Sequence, residues 1–244
     1  MIFRLIALII GYAFGNFETS VFVGKKRGIN IREHGSGNAG TTNALRVMGS
    51  KAGVITFLGD LSKMMLAYLV VWLIFGQDHP ELVLLLKLYT GLGVVLGHDF
   101  PAVLNFHGGK GIAVTGSLFL LIDWRTGLVA FCLFVGILWF TCYASLASII
   151  MVTADSILFL VLCACGIIEC GALTLPEAAA VIGAIWLLAM ILHRENIRRL
   201  LSGKENKIFL ASYFEKRDEK HMAKKEEKRE LREEKRAEKE RGEP

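Results

Sequence analysis

Of the 244 residues, 53% are apolar and 21% charged, and the last 30 residues alone hold 12 of the 28 Lys/Arg and 11 of the 23 Asp/Glu. The other 214 carry 28 charged side chains, about 13%, against roughly 25% in a soluble domain. Such a body is built for an apolar solvent, which excludes a secreted disulfide scaffold, a disordered chain and a nucleic-acid-binding domain, and predicts an all-α, polytopic integral membrane protein.

Apolar runs fall at roughly 2–24, 52–75, 82–97, 112–122, 128–142, 149–168 and 177–192. About 20 residues are needed to cross the hydrocarbon layer as a helix. The first run contains Asn16 and Glu18 and lacks an Ala-x-Ala end, so it is read as a span and not as a cleaved signal. The run 112–122 is the weak one, because eleven residues rise only about 16 Å; it either starts earlier, inside the preceding polar loop, or is a half-span packed against its neighbours.

Lys25, Lys26, Arg27, Arg32, Arg46 and Lys51 follow the first run, and Arg194, Arg198, Arg199, Lys204 and Lys207 follow the last. The connections 76–81, 123–127 and 169–176 hold one basic residue, Arg125. Basic loops mark the cytoplasmic side. The expectation is therefore about seven transmembrane helices, with the N-terminus outside and the C-terminus cytoplasmic. Residues 1–208 form the membrane domain, and the mixed-sign stretch 215–244 a solvated cytoplasmic tail.

This topology gathers the polar segments on one face. The first reads His34-Gly35-Ser36-Gly37-Asn38-Ala39-Gly40-Thr41-Thr42-Asn43-Ala44-Leu45-Arg46. Its glycines allow backbone N–H groups to converge on an anion, its hydroxyls and amides add donors, and Arg46 offers a planar fork for phosphate oxygens. The second runs through Gly97-His98-Asp99-Phe100-Pro101 to Gly108-Gly109-Lys110-Gly111 at the start of an apolar run. A lysine among glycines at a helix N-terminus is a phosphate cradle, although Lys110 is followed by Gly111 and so departs from a Walker A loop. In the third, Ser145 and Ser148 stand three apart and can bond across helices. The fourth continues the last run as a helix, placing His193, Asn196 and Arg199 or Leu200 on one face.

Asp60 and Lys63, three apart in the second run, are either functional intramembrane charges or a structural ion pair. Lys87 is read as snorkelling outward, and Asp155 has no assignment. The five cysteines lie in or beside apolar runs with no metal-ligand spacing, and no carboxylate cluster suits a metal. No cofactor is expected. The inventory binds anions without a nucleophile or base, which points to at least one phosphorylated substrate handled beside a lipid.

At these residues the chain resembles the acyl-phosphate-dependent glycerol-3-phosphate acyltransferases of bacteria, the PlsY family. The resemblance covers about residues 1–208. It rests on Gly35-Ser36-Gly37-Asn38-x-Gly40-x-Thr42-Asn43-x-x-Arg46-x-x-Gly49, on Gly97-His98-x-Phe100-Pro101 with Gly108-Gly109-Lys110-Gly111, on Ser145-Leu146-Ala147-Ser148, and on His193-Arg194-x-Asn196-Ile197-x-Arg199-Leu200 with Glu205. Glu18 stands where members tend to carry proline, and Met64 where glycine is usual.

The resemblance implies transfer of a fatty acyl group from acyl phosphate to sn-glycerol 3-phosphate. The products are lysophosphatidic acid and phosphate, in the first step of phospholipid synthesis. It implies a multi-pass enzyme of the bacterial cytoplasmic membrane, active at its cytoplasmic face, with lipid but no obligate protein partner. The implied catalytic set is Ser36, Arg46, Lys110 and His193. Lys110 with the Gly108–Gly111 backbone, Ser36 and Asn38 would hold phosphates, while Arg46, His193 and Asn196 would place the acceptor and Glu205 orient a basic group. Gly37, Thr42, Asn43, His98 and Ser145 complete the binding set. The glycerol hydroxyl proton would pass to the phosphate oxygens or, in the competing route, to His193. The rival function is a transporter or flippase for a phosphorylated solute, with Asp60, Lys63, Lys87 and Asp155 along its path.

Overall fold

The structure, a computed structural model, describes residues 1–170 and 174–208. The charged stretch 215–244 expected as a tail lies outside the described residues. Those described are helical, with no strand among them: α1 (Ile2–Gly15), α2 (Thr19–Lys26), α3 (Thr41–Met48), α4 (Ser50–Val71), α5 (Val83–Asp99), α6 (Ile112–Ile122), α7 (Trp124–Thr141), α8 (Ala144–Ala164), α9 (Leu175–Leu192) and α10 (Arg194–Leu201).

Six segments are long and apolar enough to cross a membrane: Ile2–Lys26, Ser50–Gly76, Pro80–Leu104, Trp124–Thr141, Ala144–Ala164 and Leu175–Leu192. The seventh apolar helix, α6, has 11 residues. Large apolar side chains such as Phe131, Trp139 and Phe140 face outward, as lipid-facing residues do. Inside, Phe119 and Phe159 are fully buried with Leu118, Ile182 and Ile185, joining α6, α8 and α9 to α4 and α5.

The closest helix pair is α1 with α5. Gly11 and Gly15 face Gly93 and Gly97. A Cβ on Gly15 would fall 2.8 Å from the Gly97 Cα, and one on Gly93 would fall 3.0 Å from the Gly11 Cα. Small residues at this spacing let two backbones touch, the main source of packing energy between helices in lipid. The starts of α1 and α9 are clamped by Arg4, whose guanidinium donates to the Glu177 carboxylate at 2.5 and 2.9 Å, with the Tyr89 hydroxyl of α5 donating to the same carboxylate at 2.9 Å. Helices α1, α5 and α9 therefore run in the same direction, and their C-terminal ends meet at the other end of the bundle.

Three local departures from the expected elements bear on that end. The first apolar run breaks between Gly15 and Thr19, where Glu18 is extended at φ −98° and ψ 96°. Helix α8 begins at Ala144 instead of near 149, because Cys142 turns the chain at φ 61°; Ser145 and Ser148 thus lie in helix, not loop. The last run does not continue unbroken either, for His193, at φ −95° and ψ 3°, kinks the chain between α9 and α10.

Candidate functional site

The loop before α3 is organised by Asn43, which is 1% exposed. Its amide nitrogen donates to the Ile31 and His34 carbonyls at 3.1 and 3.0 Å, and its amide oxygen accepts the Ser36 N–H at 2.9 Å. A Cβ on Gly35 would collide with the Asn43 amide and lie 2.9 Å from Val47, and Gly35 and Gly37 both have positive φ (64° and 71°), so glycine is required at both. The Ser20 hydroxyl donates to the Ala39 carbonyl at 2.6 Å and anchors the loop to α2. Gly40 caps α3 with no side-chain bond, which leaves its first N–H groups, at Thr41 and Thr42, without intrahelical partners. Arg46 projects from the last turn of α3, half-buried.

The second loop lies across the end of α5. The Gly108 N–H donates to the Asp99 carbonyl at 3.2 Å and the Gly109 N–H to the His98 carbonyl at 2.9 Å. A Cβ on Gly108 would sit 2.5 Å from Pro101, and one on Gly109 would strike the His98 imidazole. These two glycines were expected as phosphate donors. Their amides are already bonded to α5, so their role is to seat Lys110. Gly111, at φ 66°, caps α6, and the free N–H groups of a helix start lie directly after Lys110. The loop is tied to the rest of the site by Tyr12, whose hydroxyl donates to the Phe100 carbonyl at 2.9 Å, by the Ala102 N–H on the Asn16 amide oxygen at 2.7 Å, and by Arg32 on the Leu104 carbonyl at 3.4 Å.

Lys110 donates to the Asn196 amide oxygen. The Asn196 amide nitrogen donates to Glu205 at 2.9 Å, and the Arg199 guanidinium to the other oxygen of Glu205 at 2.8 Å. Burial, and then the nearby Arg199, hold the Lys110 ammonium below its usual range. Burial also lowers Arg46, opposed by the attraction of Glu205. Three cations thus surround one carboxylate, and the region is left short of negative charge.

His193 is 3% exposed and its Nδ1 lies 2.8 Å from the Ala189 carbonyl, which places the proton on Nδ1 and leaves Nε2 as an acceptor. Burial first, and then Lys110, push its pKa down to about 4, so the ring is neutral at physiological pH. Ser148 bonds back to the Ala144 carbonyl at 2.7 Å, whereas the buried Ser145 hydroxyl has no partner among the described residues. Lys207 lies 5.4 Å over the Tyr143 ring just ahead of α8, which brings this helix start to the same end of the bundle.

A cavity of about 700 Å³ opens between the loops, bordered by Arg32, Gly37, Asn38, Asp99, Phe106 and Arg194 among others. It shares the 108–110 loop and the His193 turn with the Lys110 network, so two polar zones adjoin. Ser36 is exposed at the same loop that supplies Gly37 and Asn38.

Beneath both loops lies a buried charge cluster. The Lys63 ammonium is 3.1 Å from Asp60 and 3.6 Å from Glu18, and it meets His98 Nδ1 at 2.7 Å; Glu18 is 2.8 Å from the same nitrogen. Lys63 also donates to the Phe17 carbonyl exposed by the helix break, at 3.3 Å, and Asp60 accepts the Thr41 hydroxyl at 3.3 Å. Asp60 and Lys63 are thus an ion pair that braces α3, α4, α5 and the α1–α2 break. His98 and Asn43, expected in the binding set, are engaged with the protein: His98 is 2% exposed behind Gly109, and the Asn43 amide bonds Ile31, His34 and Ser36. Which bonds a polar side chain makes is decided by tertiary neighbours, and the motif alone showed no sign of them.

A family model described as glycerol-3-phosphate acyltransferase matches residues 5–203. The glycerol-3-phosphate acyltransferase of Alkaliphilus metalliredigens is 40% identical over 207 residues, spanning 84% of this chain and 96% of that protein. That of Clostridioides difficile is 36% identical over 211 residues, spanning 84% and 95%. Among solved structures, the glycerol 3-phosphate form of PlsY (YgiH), an integral membrane glycerol 3-phosphate acyltransferase, is similar with a TM-score of 0.72 at 31% identity, over 86% of this chain and 98% of that one. Its lysophosphatidic acid form gives 0.71 at 30% identity, over the same shares.

Proposed function

The chain belongs to the glycerol-3-phosphate acyltransferase family and is an acyltransferase of lipid synthesis, and we propose that its acyl donor is an acyl phosphate, bound at the Lys110 network beside glycerol 3-phosphate. The observation that carries this reading is the convergence of Arg46, Lys110 and Arg199 on Glu205 and Asn196 next to the cavity. An acyl phosphate arrives with an activated carbonyl and an anionic leaving group. It needs cations and orientation, not an acyl-enzyme.

In this mechanism the C1 hydroxyl oxygen of glycerol 3-phosphate attacks the acyl carbonyl carbon, and the bond from that carbon to the phosphate oxygen breaks. Lys110, with Arg46, stabilises the charge that grows on the departing phosphate, while Ser36 and the start of α6 supply further donors. The proton of the attacking hydroxyl goes to a phosphate oxygen. His193 is a weak base with its pKa near 4, which favours the phosphate route over His193 as proton acceptor. It serves instead as a neutral partner for a substrate hydroxyl, next to Asn196.

The same reading places the site at the cytoplasmic face of a bacterial cell membrane, with seven crossings and the N-terminus outside. Its support is the distribution of unpaired charge. Lys25, Lys26 and Lys51 lie at the site end with no ion-pair partner among the described residues, whereas Arg4 and Arg125, at the other, are bonded to Glu177 and Asp123. Helix α6 counts as a crossing because it runs from Lys110 to the Ile122 carbonyl, which accepts from Lys87 near the start of α5 at 3.4 Å. The rival transport path loses three of its four residues: Asp60 and Lys63 are paired with each other, and Lys87 is bonded to the end of α6.

Purified protein given glycerol 3-phosphate with acyl phosphate, acyl-CoA or acyl carrier protein in separate reactions tests the donor. Product is expected with acyl phosphate alone; turnover of acyl-CoA in its place overturns the assignment.

A further inference from the structure

The last turn of α5 carries His98, whose imidazole is buried on both sides. On one side the Lys63 ammonium lies 2.7 Å from Nδ1, and the Glu18 carboxylate lies 2.8 Å from the same nitrogen. Either tautomer keeps a bond there, since Nδ1 can accept from Lys63 or donate to Glu18. Lys63 is itself held by Asp60 at 3.1 Å, by Glu18 at 3.6 Å and by the Phe17 carbonyl at 3.3 Å. A ring tied to a lysine with that many partners cannot swing without disturbing all of them.

The other side of the ring supports residue 109. The three atoms nearest to a Cβ built on Gly109 are Nε2, Cδ2 and Cε1 of His98, all too close for a methyl to fit. Gly109 is not among the glycines with positive φ, so it is the imidazole and not the backbone that demands a glycine here. Gly108 differs: its Cβ would meet the His98 carbonyl and Pro101, with no imidazole atom among its three nearest neighbours. The Asp99 side chain, sealed against Gly111, meets no donor among the described residues and lends the loop no bond. Lys110 follows Gly109 directly, so its main chain starts from a point that the ring defines. The same cluster reaches the first loop, because Asp60 accepts the Thr41 hydroxyl at 3.3 Å.

We propose that His98 is a positioning residue of acyl transfer: Lys63 and Glu18 fix its imidazole, and the imidazole seats Gly109 and with it Lys110. The inference rests on the proposed role of Lys110 at the departing phosphate. Buried behind Gly109, the ring acts through that residue and not on a substrate. A misplacement of about 1 Å in a catalytic group costs on the order of 10² in rate. Where the group works in the transition state alone, that cost falls on kcat and leaves KM in place.

The test is steady-state kinetics with acyl phosphate and glycerol 3-phosphate on the full-length protein and on Gly109→Ala, His98→Ala and the two combined. Gly109→Ala, whose methyl must push the loop off the ring, is expected to lose about 10²-fold in kcat, with KM for either substrate within about threefold. His98→Ala should lose about tenfold in kcat. The double variant should recover at least about tenfold over Gly109→Ala, because the methyl then takes space the ring has left. Gly108→Ala is the control, since its neighbours are the His98 carbonyl and Pro101 and removal of the imidazole should not rescue it. A double variant no better than Gly109→Ala, an equal rescue of Gly108→Ala, or a loss carried by KM overturns the proposal. Should His98→Ala not fold, His98→Asn replaces it, being shorter than His yet able to bond Lys63 or Glu18. Should that fail as well, Gly109→Ala decides by itself: an unchanged kcat overturns the proposal, and a loss in kcat alone upholds it. Near-normal turnover in Lys110→Ala would strike the role of Lys110, whereas its loss beside an unaffected Gly109→Ala strikes His98 alone.

Discussion

The Lys110 ammonium donates to the side-chain carbonyl of Asn196, 86 residues further along the chain. This bond joins the start of α6 to α10 and holds a partly desolvated cation there. If that cation stabilises the departing phosphate, Lys110→Ala should lower kcat by about 10²–10³, the usual cost of one transition-state donor. Steady-state kinetics with acyl phosphate decide it, and a variant within a few-fold of the unaltered protein would remove Lys110 from the mechanism.

Glu205 holds Asn196 and Arg199 through separate oxygens and attracts Arg46. In Glu205→Gln the amide still accepts one bond but no longer carries charge. The expected outcome is a fall in kcat of about tenfold with the protein still folded, since a positioning group contributes less than the donors it orients. A larger loss than that of Lys110→Ala would mean that Glu205 itself acts on the substrates.

His193 should stay neutral well below pH 6.5, because burial lowers its pKa to about 4. The pH–rate profiles of the unaltered protein and of His193→Gln should therefore share one shape above pH 5, with titration of the substrate phosphates common to both. An inflection between pH 6 and 7 that vanishes in the variant would reinstate His193 as the base. The linked stability has a definite sign: the folded state binds the proton less well than the unfolded state, so stability present above pH 6.5 is lost as pH falls toward 4.

Lys63 is the single lysine in the cluster with Glu18, Asp60 and His98. Lys63→Met leaves two buried carboxylates facing each other, and removal of one partner from such a group costs about 3–5 kcal/mol. A depressed thermal midpoint in detergent is expected. Pairing Lys63→Met with Glu18→Gln should recover part of the loss, and a double variant no better than the single one argues against the ionic coupling.

A side chain at Gly15 or Gly97 must push α1 away from α5, since Cβ atoms there would meet backbone within 3 Å. Gly97→Val is expected to destabilise the bundle by about 1–3 kcal/mol, as overpacking does. The comparison is Gly183→Val, where a Cβ meets nothing within 4 Å and the melting temperature should hardly move.

The apolar segments and the gathering of polar stretches at one end were legible because both follow from composition and loop charge. The seating of Lys110 among glycines was legible too, but the reason for the glycines was not. Gly108 and Gly109 are small so that a loop can lie on α5, a demand set by residues ten positions earlier. Helix α3 was missed because eight residues inside a polar loop show too little periodicity to separate helix from turn. The spacing of Gly11 with Gly15 and of Gly93 with Gly97 stood in the sequence, yet it acquires meaning only when the two pairs are known to face each other. Asp99 gave no signal at all. A carboxylate between His98 and Phe100 looks ordinary until its lack of a donor among the described residues is seen.

The interlocked glycines of α1 and α5 make one stiff beam of two helices, and the loops bearing Asn38 and Lys110 hang from the same end of it. Across from that beam, α10 is held to the start of α6 by the Lys110–Asn196 bond, so parting the two would have to break it.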